Sequence, residues 1–501
     1  TTGCNNNAIG FKALCGNTDG CYNTAIGCMA LHYSLSGDHN FAAGDSALFS
    51  NYGGCYNTAI GQNSLKCNTT GCGNIAIGMT YGGTLGTNTT GSNNIAFGGL
   101  AANTTGYQNI AVGDDAMAKN TTGYQNAALG SGALQWNIYG TSNQAIGYRA
   151  LNQNNRGGGN TALGWCALAD NIMGCYNHAI GYAALTNSTS GNNNNAIGNG
   201  ALFANTTGCS NNAFGSYALG SNTTGKHNIA IGDSSLYKNT TGTYNAALGE
   251  CAMFCNTEGV ANFAAGFNAL RCNTTGDHNN AIGCEALNYN LSGHRNIGLG
   301  VHAGRSLANG STALTAPDNS TYIGACTRGY AATDSNVTVI GYCACACGDN
   351  TVSIGNGNVT NTYINGTTTV TGNVSASGNG YFACVIAGGY FEEKAASPKL
   401  AEYPTGSLVV IGKDGDLVLS TKENDKKVFG VTKQGVCQPI VLGAEPVLVT
   451  GDIKVGDFIT TSDKPGHGKR VLQTIHGSVI AQAMEAGCGC SYTLQAMVRK
   501  M

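Results

Sequence analysis

The hydrophobic positions of this chain recur with a long, fixed period. The phrase Asn-x-Ala-Ile-Gly puts its closing glycine at Gly10, Gly27, Gly44, Gly61 and Gly78, then at Gly98 and Gly113, and from Gly130 at every seventeenth position to Gly300. Fifteen of the seventeen intervals are 17 residues; the exceptions are 20 (Gly78 to Gly98) and 15 (Gly98 to Gly113), an insertion around Met79–Asn88 followed by a trimmed turn. Later markers at Gly324, Gly341 and Gly355 predict that the array decays after Gly300. The aligned unit is close to Gly-x-x-Asn-x-Ala-Ile-Gly-x-x-Ala-Leu-x-x-Asn-Thr-Thr, and self-similarity of this kind marks a stacked repeat architecture.

Seventeen residues are too few for a helix-turn-helix repeat, and glycines seven apart break any helix. Short alternating runs separated by Gly and by Asn-Thr-Thr-Gly predict strand, turn, strand, turn. One repeat is therefore one coil of an all-β solenoid, and eighteen coils at about 4.8 Å each make a rod on the order of 85 Å long. Identical side chains then stack in columns. The column four residues before the marker is Asn in every coil: Asn6, Asn23, Asn40, Asn57, Asn74, Asn94, Asn109, Asn126, Asn143, Asn160, Asn177, Asn194, Asn211, Asn228, Asn245, Asn262, Asn279 and Asn296. A buried Asn can donate its amide hydrogens to the next while accepting from the one below, so this column is expected to form a hydrogen-bonded ladder. The Ile and Leu columns are expected to fill the interior. Ala, alternating with Ile, is expected to face outward as a small apolar stripe whose simplest partner is a copy of itself about a threefold axis.

Composition adds a boundary. Charged residues are 10% of the 501 positions, Gly is 76, Pro is 6 and the formal net charge is −2. That balance supplies no polycationic surface for nucleic acid or anionic lipid. Residues 1–380 hold 11 Lys/Arg and 14 Asp/Glu, and the last 121 positions hold 13 and 12. Five prolines (Pro398, Pro404, Pro439, Pro446, Pro465) also lie in that last part. The organisation read from this is a solenoid shaft over 1–355, regular to about 300, a neck or linker over 356–380, and a β-rich C-terminal domain over 381–501.

The Asn-x-Ala-Ile-Gly-x-x-Ala-Leu unit resembles the repeats of trimeric autotransporter adhesin heads, which are left-handed parallel β-rolls, and of virus and phage tail-fibre shafts. The resemblance covers roughly 1–355 and implies a homotrimer. The chain departs from the adhesins in its longer coil and in the absence of a following set of transmembrane β-strands, and no apolar run reaches about eighteen residues. The Val/Thr alternation of 356–380 resembles the β-prism necks of fibres; a flexible linker is the alternative. The phrases Leu400-Ala401-Glu402-Tyr403, Gly443-Ala444-Glu445-Pro446-Val447, Val455-Gly456-Asp457-Phe458 and Ser462-Asp463-Lys464-Pro465-Gly466 are similar to the C-terminal domains of phage and marine-virus fibre proteins. That domain is expected to hold strands at 407–411, 417–420, 428–432, 439–442, 446–449, 458–461, 478–483 and 491–499.

Candidate chemistry is sparse. A depolymerase needs carboxylates converging in a groove, whereas Asp114, Asp115, Glu250, Glu258, Asp277 and Glu285 are scattered and build no recurring face. Ser462, Asp463 and His467 sit in a Ser/Asp/Pro/Gly-rich turn with no nucleophile-elbow pattern around Ser462. No catalytic residues, cofactor or metal are expected. The loop carrying His467, Lys469 and Arg470 is a candidate contact for an acidic glycan, against the plainer reading of a solvated basic turn.

The 22 cysteines include Cys343, Cys345 and Cys347, alternating on one expected strand, and Cys488 and Cys490, with no His pair to complete a zinc site. Three pairs lie one repeat apart, Cys4/Cys21, Cys55/Cys72 and Cys255/Cys272, near enough for disulfides. Mostly free thiols in a reducing compartment are the expectation. Asn-Thr-Thr triplets match the glycosylation pattern but are also explained by turns. Together these readings point to a structural fibre protein of a virion: a rigid trimeric spacer at the virion surface, assembled in the host cytoplasm. It would touch a host glycan or protein receptor through its tip and other virion proteins through a segment upstream of Thr1, with no nucleic-acid partner and no membrane insertion. A cellular adhesin or filament subunit, and less so an ice-binding solenoid with Thr columns, are the alternatives.

Overall fold

The computed structural model describes residues 2–78, 84–360 and 362, and in the rest of the chain the backbones of nine strands. The chain divides into two units, 1–362 and 363–501. The first is a parallel β-solenoid. Twenty-one three-residue strands, from Asn7–Ile9 to Val352–Ile354, form one sheet. Each strand is joined in register to the same three positions of the next coil, as in Asn7↔Thr24, Ala8↔Ala25 and Ile9↔Ile26. Twenty such steps span about 95 Å.

Register survives both length changes. Ile75↔Ile95 and Ile95↔Ile110 pair as elsewhere, because the extra and missing residues fall between the marker glycine and the leucine column. In the trimmed coil Leu100 takes the leucine place two positions early, donating its N–H to Ala116 O at 2.8 Å. The array continues past Gly300 with less regular coils. The strand Ile297–Leu299 pairs directly with Thr321–Ile323, and two further coils follow. The longer segment between them carries its own bridge, Ser306↔Ala313.

Two expectations are corrected. There is one strand per coil, not two. After the marker glycine the chain turns with positive φ at two non-glycine positions, for example Met29 (53°) and Leu31 (50°), and a third precedes the Asn column, Tyr22 (58°). There the N–H groups of Met29 and Leu31 reach opposite ways, to Phe11 O in the preceding coil (2.7 Å) and Ala47 O in the following one (2.9 Å).

The in-and-out assignment of the strand is also reversed. Ala25, Ala59 and Ala179 are fully buried, while Ile26, Ile60 and Ile180 beside them are 37–39% exposed. The physical reason is width. The Leu column, the Ala next to it and two Asn columns already occupy the interior, so the strand can offer only a methyl group and its larger neighbours face out.

The marker glycines have φ between 118° and 144° in the regular coils, a region closed to L side chains. A Cβ on Gly181 would also lie 2.8 Å from the carbonyl carbon of Gly198 one coil on. Near the end of the array the Ala column becomes Gly298, then Tyr322 and Val339, both fully buried. The Tyr322 ring fits because Gly304 beside it has no Cβ, which would come within 2.8 Å of the ring. Its hydroxyl donates to Asp334 Oδ2 at 2.9 Å, and the same carboxylate accepts the N–H groups of Tyr330 and Ala331.

In the second unit the strands are Phe391–Glu392, Leu408–Ile411, Leu417–Leu419, Val428–Val431, Ile440–Val449, Phe458–Thr461, Gly468–Arg470, Ala481–Ala483 and Tyr492–Val498. They are mainly antiparallel. Where two short strands were expected over 439–449 there is one of ten residues, paired with Tyr492–Val498 from Gly443↔Val498 to Val449↔Tyr492. The neck reading over 356–380 falls on residues of which only 356–360 and 362 are described, with a turn at 357–358.

Candidate interaction surface

The expected asparagine ladder forms, with more bonds than amide-to-amide contact alone. In a regular coil such as that of Asn57, the backbone N–H and Nδ2 both donate to Asn40 Oδ1 (3.0 and 3.1 Å), and Nδ2 also donates to Gly71 O (2.9 Å). The ladder crosses the insertion through Asn94 to Asn74 and ends where Ser320 N–H reaches Asn296 Oδ1 at 3.0 Å. All its members from Asn23 onward are at most 2% exposed. They are structural residues with no free group to offer a ligand.

A second ladder went unread. The Asn of each Asn-Thr-Thr is also buried and stacked: Asn68 Nδ2 donates to Asn51 Oδ1 (2.8 Å), Asn88 to Asn68 (2.8 Å) and Asn103 to Asn88 (2.7 Å), each also donating to the carbonyl of the glycine three positions on. Its sequence signal was the near-invariance of Asn seven positions after the marker. The matching glycosylation triplets are therefore occupied by core packing, since an amide nitrogen bonded twice inside the rod is closed to sugar attachment. The first threonine of each triplet is engaged too. Thr206, Thr223, Thr240 and Thr257 each donate their hydroxyl to the carbonyl of the equivalent residue in the next coil at 3.0–3.1 Å. The hydroxyls of this column are fixed on carbonyls, while the second threonine of each pair, as at Thr207 and Thr224, is exposed.

The column six before the marker explains several cysteines. Its side chain accepts the backbone N–H of the equivalent residue in the preceding coil: Cys72 Sγ from Cys55 N (3.2 Å), Cys55 Sγ from Asp38 N (3.3 Å), Asp38 Oδ1 from Cys21 N (2.7 Å), Asn192 Oδ1 from Cys175 N (2.8 Å) and Cys209 Sγ from Asn192 N (3.4 Å). Short acceptors of different chemistry thus serve one role. All 18 described cysteines are unpaired. Cys4 and Cys21 come closest, with sulfurs 3.0 Å apart. Burial pushes the thiols of Cys55, Cys166, Cys251 and Cys272 up, which makes them poor nucleophiles at neutral pH. Cys343–Cys347 lie in a turn and a single bridge, not a strand. No group of three metal-ligating side chains converges among the described residues.

What the rod presents outward is a set of columns. The residue before the marker gives a continuous apolar line, with Ile26, Ile60, Phe97, Leu129, Ile146, Leu163, Ile180, Ile197 and Ile231 between 37% and 50% exposed. In the two coils where this position shrinks to Ala43 or Ala265, the other outward strand position is Phe41 or Phe263, so apolar bulk on the face is retained. Beside it run aromatic stacks: Tyr22, His39 and Tyr56 with centroids 4.8 and 4.9 Å apart and planes within 4°, and likewise Tyr107 on Tyr124 and His227 on Tyr244. Stacked rings show solvent their edges rather than their faces, a poor platform for sugar rings.

Acidic residues stay dispersed. Glu285 is bound to Arg305 Nε at 2.8 Å, and Asp277 lies 3.7 Å from His294. Lys469 and Arg470, assigned to a loop by the sequence, lie on the strand Gly468–Arg470, paired with Phe458–Thr461. His467, Ser462 and Asp463 lie outside the described residues. No helix among the described residues is long and apolar enough to cross a membrane. Neither a family model, nor a curated protein, nor a solved structure matches the chain.

Proposed function

We propose that this chain is a structural fibre protein of a virion, a rigid homotrimeric spacer for attachment to a host surface. The observation that carries the reading is the outward apolar line, unbroken and in register through the coil stack. A stable interface needs about 800 Å² per partner, and spread over eighteen coils that is only about 45 Å² each, within reach of one half-exposed Ile and its strand neighbour. Three copies per fibre and several fibres per particle turn weak tip contacts into avidity. Unpaired cysteines suit assembly in a reducing cytoplasm.

Light scattering on the full chain tests the assembly: a mass near three times 50.9 kDa is expected, falling when Leu163→Asp, Ile180→Asp and Ile197→Asp are combined. A clean monomer for the unmodified chain refutes it. Antibodies against the full chain test the location. They are expected to decorate fibres projecting from virus particles in the source material, and labelling confined to cell envelopes would replace the virion fibre by a cellular adhesin.

A further inference from the structure

The second asparagine ladder is interrupted twice. Seven positions after the marker, Ser34 follows Asn17 and Ser188 follows Asn171, before the column resumes at Asn51 and Asn205. Both serines and Asn171 are fully buried. The buried oxygens with no hydrogen-bond partner in the protein include four at these two steps: Asn17 Oδ1, Ser34 Oγ, Asn171 Oδ1 and Ser188 Oγ. The next asparagines are affected as well. Asn205 Nδ2 donates to Gly208 O (3.1 Å) and Asn51 Nδ2 to Gly54 O (2.8 Å), but the second amide hydrogen, which elsewhere meets the Asn one coil below, has no carbonyl there. Asn222 Nδ2, one coil further, has both bonds, to Gly225 O and to Asn205 Oδ1.

Each gap is thus an acceptor, a hydroxyl and a donor converging on the space an asparagine amide would fill. Exchanging Asn for Ser removes roughly the volume of one water molecule, about 30 Å³ in the liquid, and a buried water characteristically makes about three hydrogen bonds to such groups. We propose that each serine step is a binding site for a single internal water. It donates to Asn171 Oδ1 (or Asn17 Oδ1), bonds the serine hydroxyl, and accepts from Asn205 Nδ2 (or Asn51 Nδ2). The water stands in for the missing amide, and the ladder runs without a break in hydrogen bonding from Asn17 to Asn290. Leaving these groups bare would cost several times the net worth of an ordinary hydrogen bond, whereas a bridging water is nearly as good enthalpically as a direct bond. This site is independent of the fibre reading.

The test is a crystal structure of the full chain at a resolution that shows ordered solvent, paired with Ser188→Asn and Ser34→Asn. One isolated density peak is expected within hydrogen-bond distance of Asn171 Oδ1 and Ser188 Oγ, and a second between Asn17 and Ser34. In each variant the local peak should vanish and the unfolding midpoint rise, because the amide replaces the water without its immobilisation. An empty site, or Asn171 and Ser188 turned to bond each other directly, overturns the proposal, as does a midpoint unchanged or lowered in both variants.

Discussion

The first ladder predicts a large and specific response to loss of one amide, and Asn143 sits at its middle. Its side chain donates Nδ2 to Asn126 Oδ1 (3.1 Å) and to Gly157 O (2.8 Å), and its Oδ1 accepts the backbone N–H of Asn160 (3.0 Å). Asn143→Ala leaves Asn126 Oδ1 still bonded to the backbone N–H of residue 143 (3.0 Å) and the carbonyl of Gly157 still accepting from Asn154 Nδ2 (2.9 Å), but orphans the N–H of Asn160. An unsatisfied buried group costs about 1–3 kcal/mol, so the variant should lose about that much locally. Because a stack of coils need not unfold as one unit, a global midpoint can understate this. The sharper assay is amide hydrogen exchange, in which the Asn160 N–H should exchange at least tenfold faster while amides several coils away keep their protection. Asn143→Asp separates hydrogen bonding from shape: it keeps the acceptor but puts a carboxylate against the Gly157 carbonyl. Burial raises that acid's folded pKa above its unfolded value of about 3.9. The variant is therefore closest to wild type below that pH and loses stability as pH rises through the folded value. If Asn143→Ala leaves exchange at Asn160 unchanged, the ladder adds nothing to coil-to-coil cohesion and the reasoning fails.

Three further outcomes follow from the same geometry. Leu151 is fully buried at φ 52°; Leu151→Ile keeps the volume but places a β-branched side chain in the left-handed region, and should cost about 1–3 kcal/mol in denaturant unfolding, whereas Leu151→Met should cost under about 1.5 kcal/mol. Gly181→Ala should destabilise by more than about 1 kcal/mol, since its φ of 135° and the Gly198 backbone both exclude a methyl group; a neutral result in thermal unfolding would refute the close approach. Burial and the neighbouring Asp334 push the Tyr322 phenol well up. Its contribution is then fully present below the unfolded tyrosine pKa of about 10 and lost as pH rises toward the folded value, so Tyr322→Phe should flatten the fall in stability above about pH 10 while costing about 1–3 kcal/mol at pH 7 through the bond removed from Asp334.

How legible the fold was differs by level. The period, the solenoid class and the asparagine ladder follow from the sequence alone, because identity at every seventeenth position needs no physics finer than stacking. The direction of the strand did not. Alternation says that Ala and Ile face opposite ways, and size then favours Ile inside; only the backbone shows that the interior was already taken by Leu and two Asn columns. Yet a signal was present. Five before the marker, and two and four after it, the regular coils carry Tyr, His, Asn, Ser, Leu, Met and others but never Val, Ile or Thr, whereas Thr and Ile recur in the strand column, as at Thr24, Thr58, Ile110 and Thr161. That exclusion is what positive φ requires. Read as a column property, it would have replaced the second expected strand by the turn and carried Leu inward.

The same column logic explains why the functional surface was the hardest part to read. Inner positions are repeated because each side chain is the neighbour of its own copy, so a change at one coil disturbs two interfaces at once. Outer positions also stack on their neighbours, as Tyr22, His39 and Tyr56 do, but solvent on the other side tolerates different residues there. Asp38, Cys55, Cys72, Asn192 and Cys209 can all fill one column because any short acceptor satisfies the N–H below it. The outward apolar line departs from this freedom. It stays large and apolar through coils that otherwise vary, and where it yields to Ala43 and Ala265, a Phe appears two residues earlier. Stacking on the neighbouring coils covers half or more of these side chains, and 37–50% of the Ile and Leu surface of this line is left exposed. The proposed homotrimer would cover this line, since a column that repeats at every coil fits another column with the same repeat.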